Sequence, residues 1–351
     1  MTLSAIILSD SEGGSMRIVI TGGAGFIGSN FIRLILKERP EWHILNLDKL
    51  TYAGNLDNLA EIADSPNYSF IKADIADGPA VECNLEEFKP DSVLNFAAES
   101  HVDRSIEEPA PFLRTNIEGT QILLEACRRR DVGRFVQIST DEVYGSLGPQ
   151  GSFTESTPLQ PNSPYAASKA AADLICRAYG ETYGYYVLIT RSSNNFGPYQ
   201  FPEKLIPLMI NNALTDSELP VYGEGANVRD WIHVEDNCRG ILAALESGEP
   251  GRVYNIGGGN ELPNIELVRM LLKILDKPES LIRFVRDRPG HDFRYSLDSS
   301  RASKELSWQP QVPFEDGLRS TIQWYTDNRD WCEKILSGEY RQYYQRMYGN
   351  R

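Results

Sequence analysis

Short apolar runs alternate with longer stretches of helical spacing through the first half of the chain. Ile18–Thr21, Ile44–Asp48, Phe70–Ala73, Ser92–Asn95, Phe135–Ser139 and Val187–Thr190 are continuous β-branched or apolar runs. Phe26–Lys37, Asn116–Arg130 and Ala166–Tyr183 carry the spacing of helices, the first stopping before Pro40. Strands that alternate with helices predict βαβ units, a parallel sheet and helices on both of its faces. Strands covered on both faces read as unbroken apolar runs, which is the pattern here.

After Arg191 the rhythm changes. Asn194–Gln200 is rich in Asn, Gly and Pro and reads as a loop. A helix is expected over Pro202–Asn212, then a polar stretch with Pro220, Gly223 and Gly225. Trp231–Ile232 and Val253–Ile256 look like strands that return to the first sheet, the second closed by Gly257–Gly259. The rest is helix-rich and ends in aromatics (Trp324, Tyr325, Trp331, Tyr340, Tyr343, Tyr344, Tyr348) that suit a C-terminal segment docked on the core. The expected fold is α/β: a doubly wound parallel sheet of Rossmann type over 16–191 plus 232–257. A smaller, mainly helical lobe takes 192–231 plus 258–351, and residues 1–15 form a loose N-terminal extension.

Composition narrows the function. The 351 residues include 35 Lys+Arg and 49 Asp+Glu, a net charge of −14, with no basic run, which argues against a nucleic-acid partner. Hydrophobic residues at 41% and charged ones at 24% are globular values, so a packed core is expected rather than disorder. No apolar run is long enough to span a membrane, and the first fifteen residues lack the basic start of a signal peptide. Five scattered Cys without a C-x-x-C pair fit a reducing, cytoplasmic setting, and no His/Cys/Asp cluster has metal-ligand spacing, so no metal is expected.

The chemistry starts at Gly22–Gly28, where the run GGAGFIG follows a strand and opens a helix. Gly22, Gly25 and Gly28 permit a sharp turn and a close approach of helix, strand and ligand; the helix start then offers N–H groups to an anion. Asp48 ends the next strand about 20 residues on, the place of a carboxylate that accepts from ribose hydroxyls and repels a 2′-phosphate. Together they point to NAD rather than NADP. Downstream, Tyr165 and Lys169 lie four apart on one helix face. A cationic Lys beside a phenol favours the phenolate, a usable base for a hydroxyl proton as hydride leaves carbon. The same spacing also arises from a surface Lys beside a half-buried Tyr. Thr140–Asp141–Glu142 follows the strand that ends at Ser139, at the edge where ligands bind in open α/β sheets. An acid and a base side by side suit removal of a carbon-bound proton and loss of water, whereas the pair alone fits a solvated turn equally well.

TGGAGFIG with Tyr-x-x-x-Lys and a C-terminal extension resembles the extended short-chain dehydrogenase/reductases, over nearly the whole chain from Met16. Six further segments in order resemble the dTDP-glucose 4,6-dehydratases among them: Asp48–Asn55, Ala97–Ile106, the STDEVYG around Asp141, Asn162–Ala170, Asn194–Leu208 and Asp287–Tyr295. The resemblance implies NAD-dependent dehydration of dTDP-glucose to the 4-keto-6-deoxy sugar, for deoxysugar (such as dTDP-rhamnose) synthesis. It implies that Thr140, Asp141, Glu142, Tyr165 and Lys169 are catalytic. It implies cofactor contacts by Phe26, Ile27, Asp48, Lys49, Leu50, Thr51, Asp74, Ile75, Ala97, Ala98, Thr115 and Asn195. Ser100, Thr140 and Asn194 would hold the sugar; Lys204, Leu205, Pro220, Tyr222 and Asn264 the nucleotide; Arg229, Arg288 and His291 the diphosphate. A homodimer through Asn116–Arg130 and Ala166–Tyr183 is implied as well. His101 reads equally as a loop-packing residue. The rival readings are a nucleotide-sugar 4-epimerase, which has no use for Asp141–Glu142, a 4,6-dehydratase acting on UDP-glucose, and a non-catalytic NAD-binding protein.

Overall fold

The structure is a computed structural model that describes residues 14–335. Its first half runs β1 (Arg17–Thr21), α1 (Phe26–Glu38), β2 (His43–Asp48), a 3-10 segment Leu56–Ile62, β3 (Tyr68–Lys72), α2 (Gly78–Phe88) and β4 (Ser92–Asn95). Then follow α3 (Val102–Glu107), α4 (Ala110–Phe112), a π-helical stretch Leu113–Gly119, α5 (Thr120–Arg129), β5 (Arg134–Thr140), a 3-10 turn Asp141–Tyr144, α6 (Pro164–Tyr183) and β6 (Val187–Ser192). The second half contains β7 (Asn194–Phe196), α7 (Leu205–Leu214), β8 (Leu219–Tyr222), β9 (Val228–His233), α8 (Val234–Ser247), β10 (Val253–Ile256), β11 (Glu261–Pro263) and α9 (Asn264–Ile274). It closes with β12 (Ile282–Val285), α10 (Ser300–Leu306), α11 (Phe314–Asp327) and α12 (Arg329–Ile335).

Seven parallel strands form the main sheet in the order β10-β6-β5-β4-β1-β2-β3. The order reverses at β1, so the ends of β1 and β4 diverge into the crevice where such sheets bind ligands. One core packs α1 and α8 against one face, through Phe31, Ile32, Ile35, Ile241 and Leu245. Another packs α2, α5 and α6 against the opposite face, through Val81, Leu85, Leu123, Cys127 and Cys176. A separate apolar cluster joins α7, α9 and α11 through Met209, Leu267, Leu271, Leu318 and Tyr325.

The expected strands and helices of the first half appear within a few residues of their sequence bounds, with one irregularity. The helix expected from Asn116 starts in a π-helical stretch and becomes regular only at Thr120. In the second half two expectations fail. Asn194–Phe196, expected as part of a loop, is β7, held by its pairing with β9. Trp231 and Ile232 lie in β9, which pairs with β7 and β11 in a small sheet of its own and not with the main sheet; only β10 returns. The reason is local: Ser193 separates β6 from β7, so the chain leaves the main sheet and β9 pairs with the strand that has left. The helix expected from Pro202 begins at Leu205. Of the C-terminal aromatics, Trp324, Tyr325 and Trp331 pack together and onto Tyr199. Tyr340, Tyr343, Tyr344 and Tyr348, and residues 1–13, lie outside the described residues. No helix among the described residues is long and apolar enough to cross a membrane.

Candidate active site

The cleft opens at the carboxyl ends of β1, β2, β4 and β5 and is built first by the glycine turn. Gly22 has φ +70, and a Cβ there would stand 2.6 Å from the Ala97 amide nitrogen; one on Gly28 would stand 2.5 Å from the Gly22 carbonyl oxygen. These two glycines therefore let α1 and the β4 loop close on the turn. Gly25 does something else. It is the N-cap of α1, offers no side-chain acceptor, and the first turn holds no acidic residue. The helix start thus presents its amides and its positive dipole end to the cleft.

Asp48 ends β2 and is buried. Its two oxygens accept from the Ala24 amide (2.9 Å) and the Leu50 amide (2.8 Å), so it also clamps the glycine turn. Burial raises its pKa against those two bonds. Leu50 takes a left-handed φ of 56 to make this bond and does not line the cleft. Lys49 pairs with Asp74 at 2.7 Å. Gly22, Gly25, Phe26, Ile27, Gly28, Asp48, Lys49, Thr51, Asp74, Ile75, Ala97, Ala98, Thr115 and Asn195 all line one cleft. Ser100, Thr140, Asp141, Glu142, Tyr165, Lys169, Asn194 and Lys204 line it too. Between 27 and 74 positions separate these neighbouring strand ends in sequence, yet the parallel sheet brings them to one edge.

At the centre stand α6 and the turn after β5. Thr140 caps that turn, its hydroxyl accepting from the Glu142 amide at 3.3 Å and donating to Asp141 at 3.2 Å. Asp141 is 2% exposed, and its other carboxylate oxygen has no hydrogen-bond partner. Burial and the charges of Glu142 and Asp230 hold its pKa well above the ordinary carboxylate range. Glu142 is also raised by burial, but Arg288, Lys204 and Arg229 pull it back down. Adjacent carboxyls are thereby placed in unlike surroundings, the arrangement that separates an acid from a base.

The Tyr–Lys pair departs from the sequence expectation. The Lys169 ammonium donates to the Ile138 carbonyl at 2.6 Å. Lys169 thus ties α6 to β5, and the Tyr165 phenol is raised rather than lowered, by burial first and then by the charges of Glu142 and Asp141, with Thr140 pulling it back. Burial disfavours a charge on the phenol, and the two carboxylate charges add to that effect.

The remaining sequence-predicted residues do not line that cleft, although Arg229 and Arg288 lie within electrostatic reach of Glu142. Leu205 opens α7, Pro220 and Tyr222 lie on β8, and Asn264 opens α9 with its side-chain oxygen buried and unpartnered. Arg229 is buried and donates to the carbonyls of Val228 (2.7 Å) and Asp292 (2.9 Å), its guanidinium over the Tyr295 ring. Arg288 pairs with Asp103 at 3.4 Å. His291 pairs with Asp287 at 2.6 Å, and its pKa is pushed down to about 4 by burial and by Arg288 and Arg229. His101 caps α3, accepting from the Arg104 amide at 3.4 Å.

Sequence reasoning missed Glu99, Ser139, Ser193, Gln200 and Glu203 as cleft residues. Glu203 is 6% exposed and pairs with Arg104 at 3.3 Å across 99 positions, a contact that no local spacing announces. Buried atoms of Ser139, Asn194, Asn195 and Gln200 have no partner in the protein. Buried polar atoms without partners are costly, so a cleft that collects four of them is built for a polar ligand. With the open helix start and the clamped Asp48, these residues fit a dinucleotide beside a hydroxyl-rich substrate. Among the described residues, no group of three or more His, Cys, Asp or Glu could hold a metal ion.

The comparisons with known proteins agree with this geometry. The family model described as GDP-mannose 4,6 dehydratase matches residues 19–321. A dTDP-glucose 4,6-dehydratase of Xanthomonas campestris pv. campestris strain B100 is 51% identical over 341 residues, covering 92% of this chain and 97% of that protein. One of Streptomyces niveus is 52% identical over 326 residues, covering 92% and 96%. The crystal structure of DesIV, a dTDP-glucose 4,6-dehydratase of Streptomyces venezuelae with NAD and TYD bound, superposes with a TM-score of 0.89 at 52% identity, covering 91% of this chain and 100% of that one. A UDP-glucose 4-epimerase of Thermotoga maritima superposes at 0.84 with 29% identity, covering 90% and 100%. The fold is thus shared with epimerases, while the identity and the carboxyl pair side with the dehydratases, and the chain belongs to the dTDP-glucose 4,6-dehydratase family.

Proposed function

We infer that this protein converts dTDP-glucose to the 4-keto-6-deoxy sugar nucleotide by oxidation at C4, loss of water across C5 and C6, and reduction at C6 with return of a proton to C5. The carrying observation is Asp141 and Glu142 at the end of β5, adjacent in sequence and unequal in surroundings, within the cleft that holds Tyr165. NAD, held on the open start of α1 and on Asp48, Lys169 and Asn195, supplies a hydride acceptor for C4 and a donor for C6 when bound. Tyr165, as the phenolate favoured by the positive ring of NAD when bound, takes the O4 proton, and Thr140 holds the sugar hydroxyl next to it. The ketone at C4 acidifies the C5 proton. Glu142 removes it, as the carboxyl that neighbouring Lys204 and Arg288 favour in its ionised form. Asp141, held protonated by burial, gives its proton to the C6 hydroxyl, and water leaves. Ser100 and Asn194 orient the sugar. Arg288 and His291 serve the diphosphate, while Arg229 already commits two nitrogens to the Val228 and Asp292 carbonyls. Lys204, Leu205, Pro220, Tyr222 and Asn264 surround the nucleotide.

Leu113, Leu174 and Tyr183 are large apolar side chains left exposed on the helical stretch from Leu113 and on α6. Their exposure supports pairing of two copies through these helices. The deciding experiment for the reaction is turnover of dTDP-glucose beside UDP-glucose with product mass recorded. Loss of one water identifies dehydration, and an unchanged mass identifies epimerisation.

A further inference from the structure

Asp103 lies in the first turn of α3 and is 4% exposed. Its two carboxylate oxygens reach out of the lobe that carries the main sheet. One accepts from the Tyr222 hydroxyl at 3.0 Å, and the other pairs with the Arg288 guanidinium at 3.4 Å. Both partners belong to the second lobe, 119 and 185 positions away. Both lie in the nucleotide region under the function proposed above. The Arg288 Nε is buried with no partner. Arg288 also feels the charge of Glu142, the base of the elimination, and that of Asp287 beside it in sequence. Lys204 lies within electrostatic reach of Asp103 and of Glu142.

We propose that Asp103 is a positioning residue for nucleotide-sugar binding: it holds Arg288 and Tyr222 across the cleft, so that one edge of the guanidinium is fixed and the remaining N–H groups face the incoming diphosphate. Without the Asp103 charge, a buried guanidinium has to find another acceptor, and Glu142 is a carboxylate within its electrostatic reach inside the cleft. That rearrangement would withdraw Arg288 from the diphosphate and pair the catalytic base with a cation in the free enzyme. Once substrate is bound, the diphosphate itself holds Arg288, so the effect falls on binding and not on the chemical steps. The inference rests on the proposed function for its substrate, and not for its geometry.

The test is Asp103→Asn, which keeps shape and removes charge. Wild-type protein is first shown to release a product lighter by one water; failure there overturns the function and not the latch. Loss of one charge-assisted hydrogen bond then predicts a KM for dTDP-glucose raised about tenfold, with kcat within about twofold. Dissociation of dTDP, measured calorimetrically without turnover, is expected to weaken by the same factor. In an Arg288→Ala background the same change is expected to do little, because its main target is gone. An unchanged KM, an equal fall in kcat, or a full effect that persists without Arg288 each overturns the proposal. Should Asp103→Asn fail to fold, Tyr222→Phe removes the other bond to the same carboxylate; a raised KM that disappears in the Arg288→Ala background supports the latch, and one that persists there, or no change at all, overturns it.

Discussion

The Lys169 ammonium donates to the Ile138 carbonyl across a 2.6 Å contact. This bond joins the helix that carries Tyr165 to the strand that ends at Thr140 and leads into Asp141 and Glu142. The four side chains therefore share one rigid unit. Replacing Lys169 by Met removes that tie as well as a charge. The expected result is a fall in kcat of roughly 10²–10⁴-fold, the range for loss of positioned proton transfer. Tyr165→Phe should fall at least as far and show no reduced nicotinamide under stopped flow. A Tyr165→Phe protein that still oxidises C4 would remove the phenol from its proposed role.

Asp141 and Glu142 are expected to separate oxidation from elimination. Asp141→Asn and Glu142→Gln leave Tyr165 in place and abolish one proton transfer each. Both variants should build up reduced nicotinamide absorbance on mixing with dTDP-glucose and release little dehydrated product. Glu142→Gln is further expected to abolish deuterium uptake at C5 from heavy water, since Glu142 handles that proton. Normal dehydration in both variants would return the pair to the status of a turn.

Much of this site is legible along the chain because its determinants are local. Gly22–Gly28 must turn between a strand and a helix, and Asp48 must end the neighbouring strand, so a short window reveals both. The same holds for Tyr165 and Lys169, one helical turn apart. Asp103, Glu203 and Arg229 are different. Asp103 meets Tyr222 and Arg288, and Glu203 meets Arg104, only when two lobes close on each other. Arg229 reads as an anion ligand in sequence, yet its guanidinium meets backbone carbonyls instead. Trp231–Ile232 has the apolar content of a central strand; its partner is decided by β7 having left the main sheet, which composition does not encode.

The buried acid should leave a mark on stability. The Asp141 pKa is raised in the folded protein, so the folded state holds this proton more tightly than the unfolded chain. Its contribution is therefore present below the unfolded carboxyl range and is lost as pH rises through the raised value. Asp141→Asn, which has no charge to desolvate, is expected to melt higher than wild type at pH 8, by at least about 2 °C, the shift that ~1 kcal/mol produces in a large domain. At pH 4 the two proteins should converge. A variant less stable at both values would show that the hydrogen bond from Thr140 outweighs the charge.

Arg191 and Asp173 provide the last test, of the frame behind the site. Arg191 on β6 donates from Nε to Asp173 at 2.8 Å and from Nη1 to the Tyr144 hydroxyl at 2.9 Å; Tyr144 in turn donates to Asn255 at 2.8 Å. Asp173 is 1% and Arg191 5% exposed. Asp173 lies one turn beyond Lys169 on α6, and Tyr144 lies two residues after Glu142, so this network fastens α6 to β6 and to the turn that follows β5. Breaking it by Arg191→Met strands a buried carboxylate, which costs roughly 3–5 kcal/mol. Asp173→Asn with Arg191→Met removes both charges, and the double variant is expected to recover part of that loss. Chemical denaturation of the single and double variants measures the recovery. Equal losses in both would mean that packing around the methylene stem, not the charge pair, holds α6 against β6.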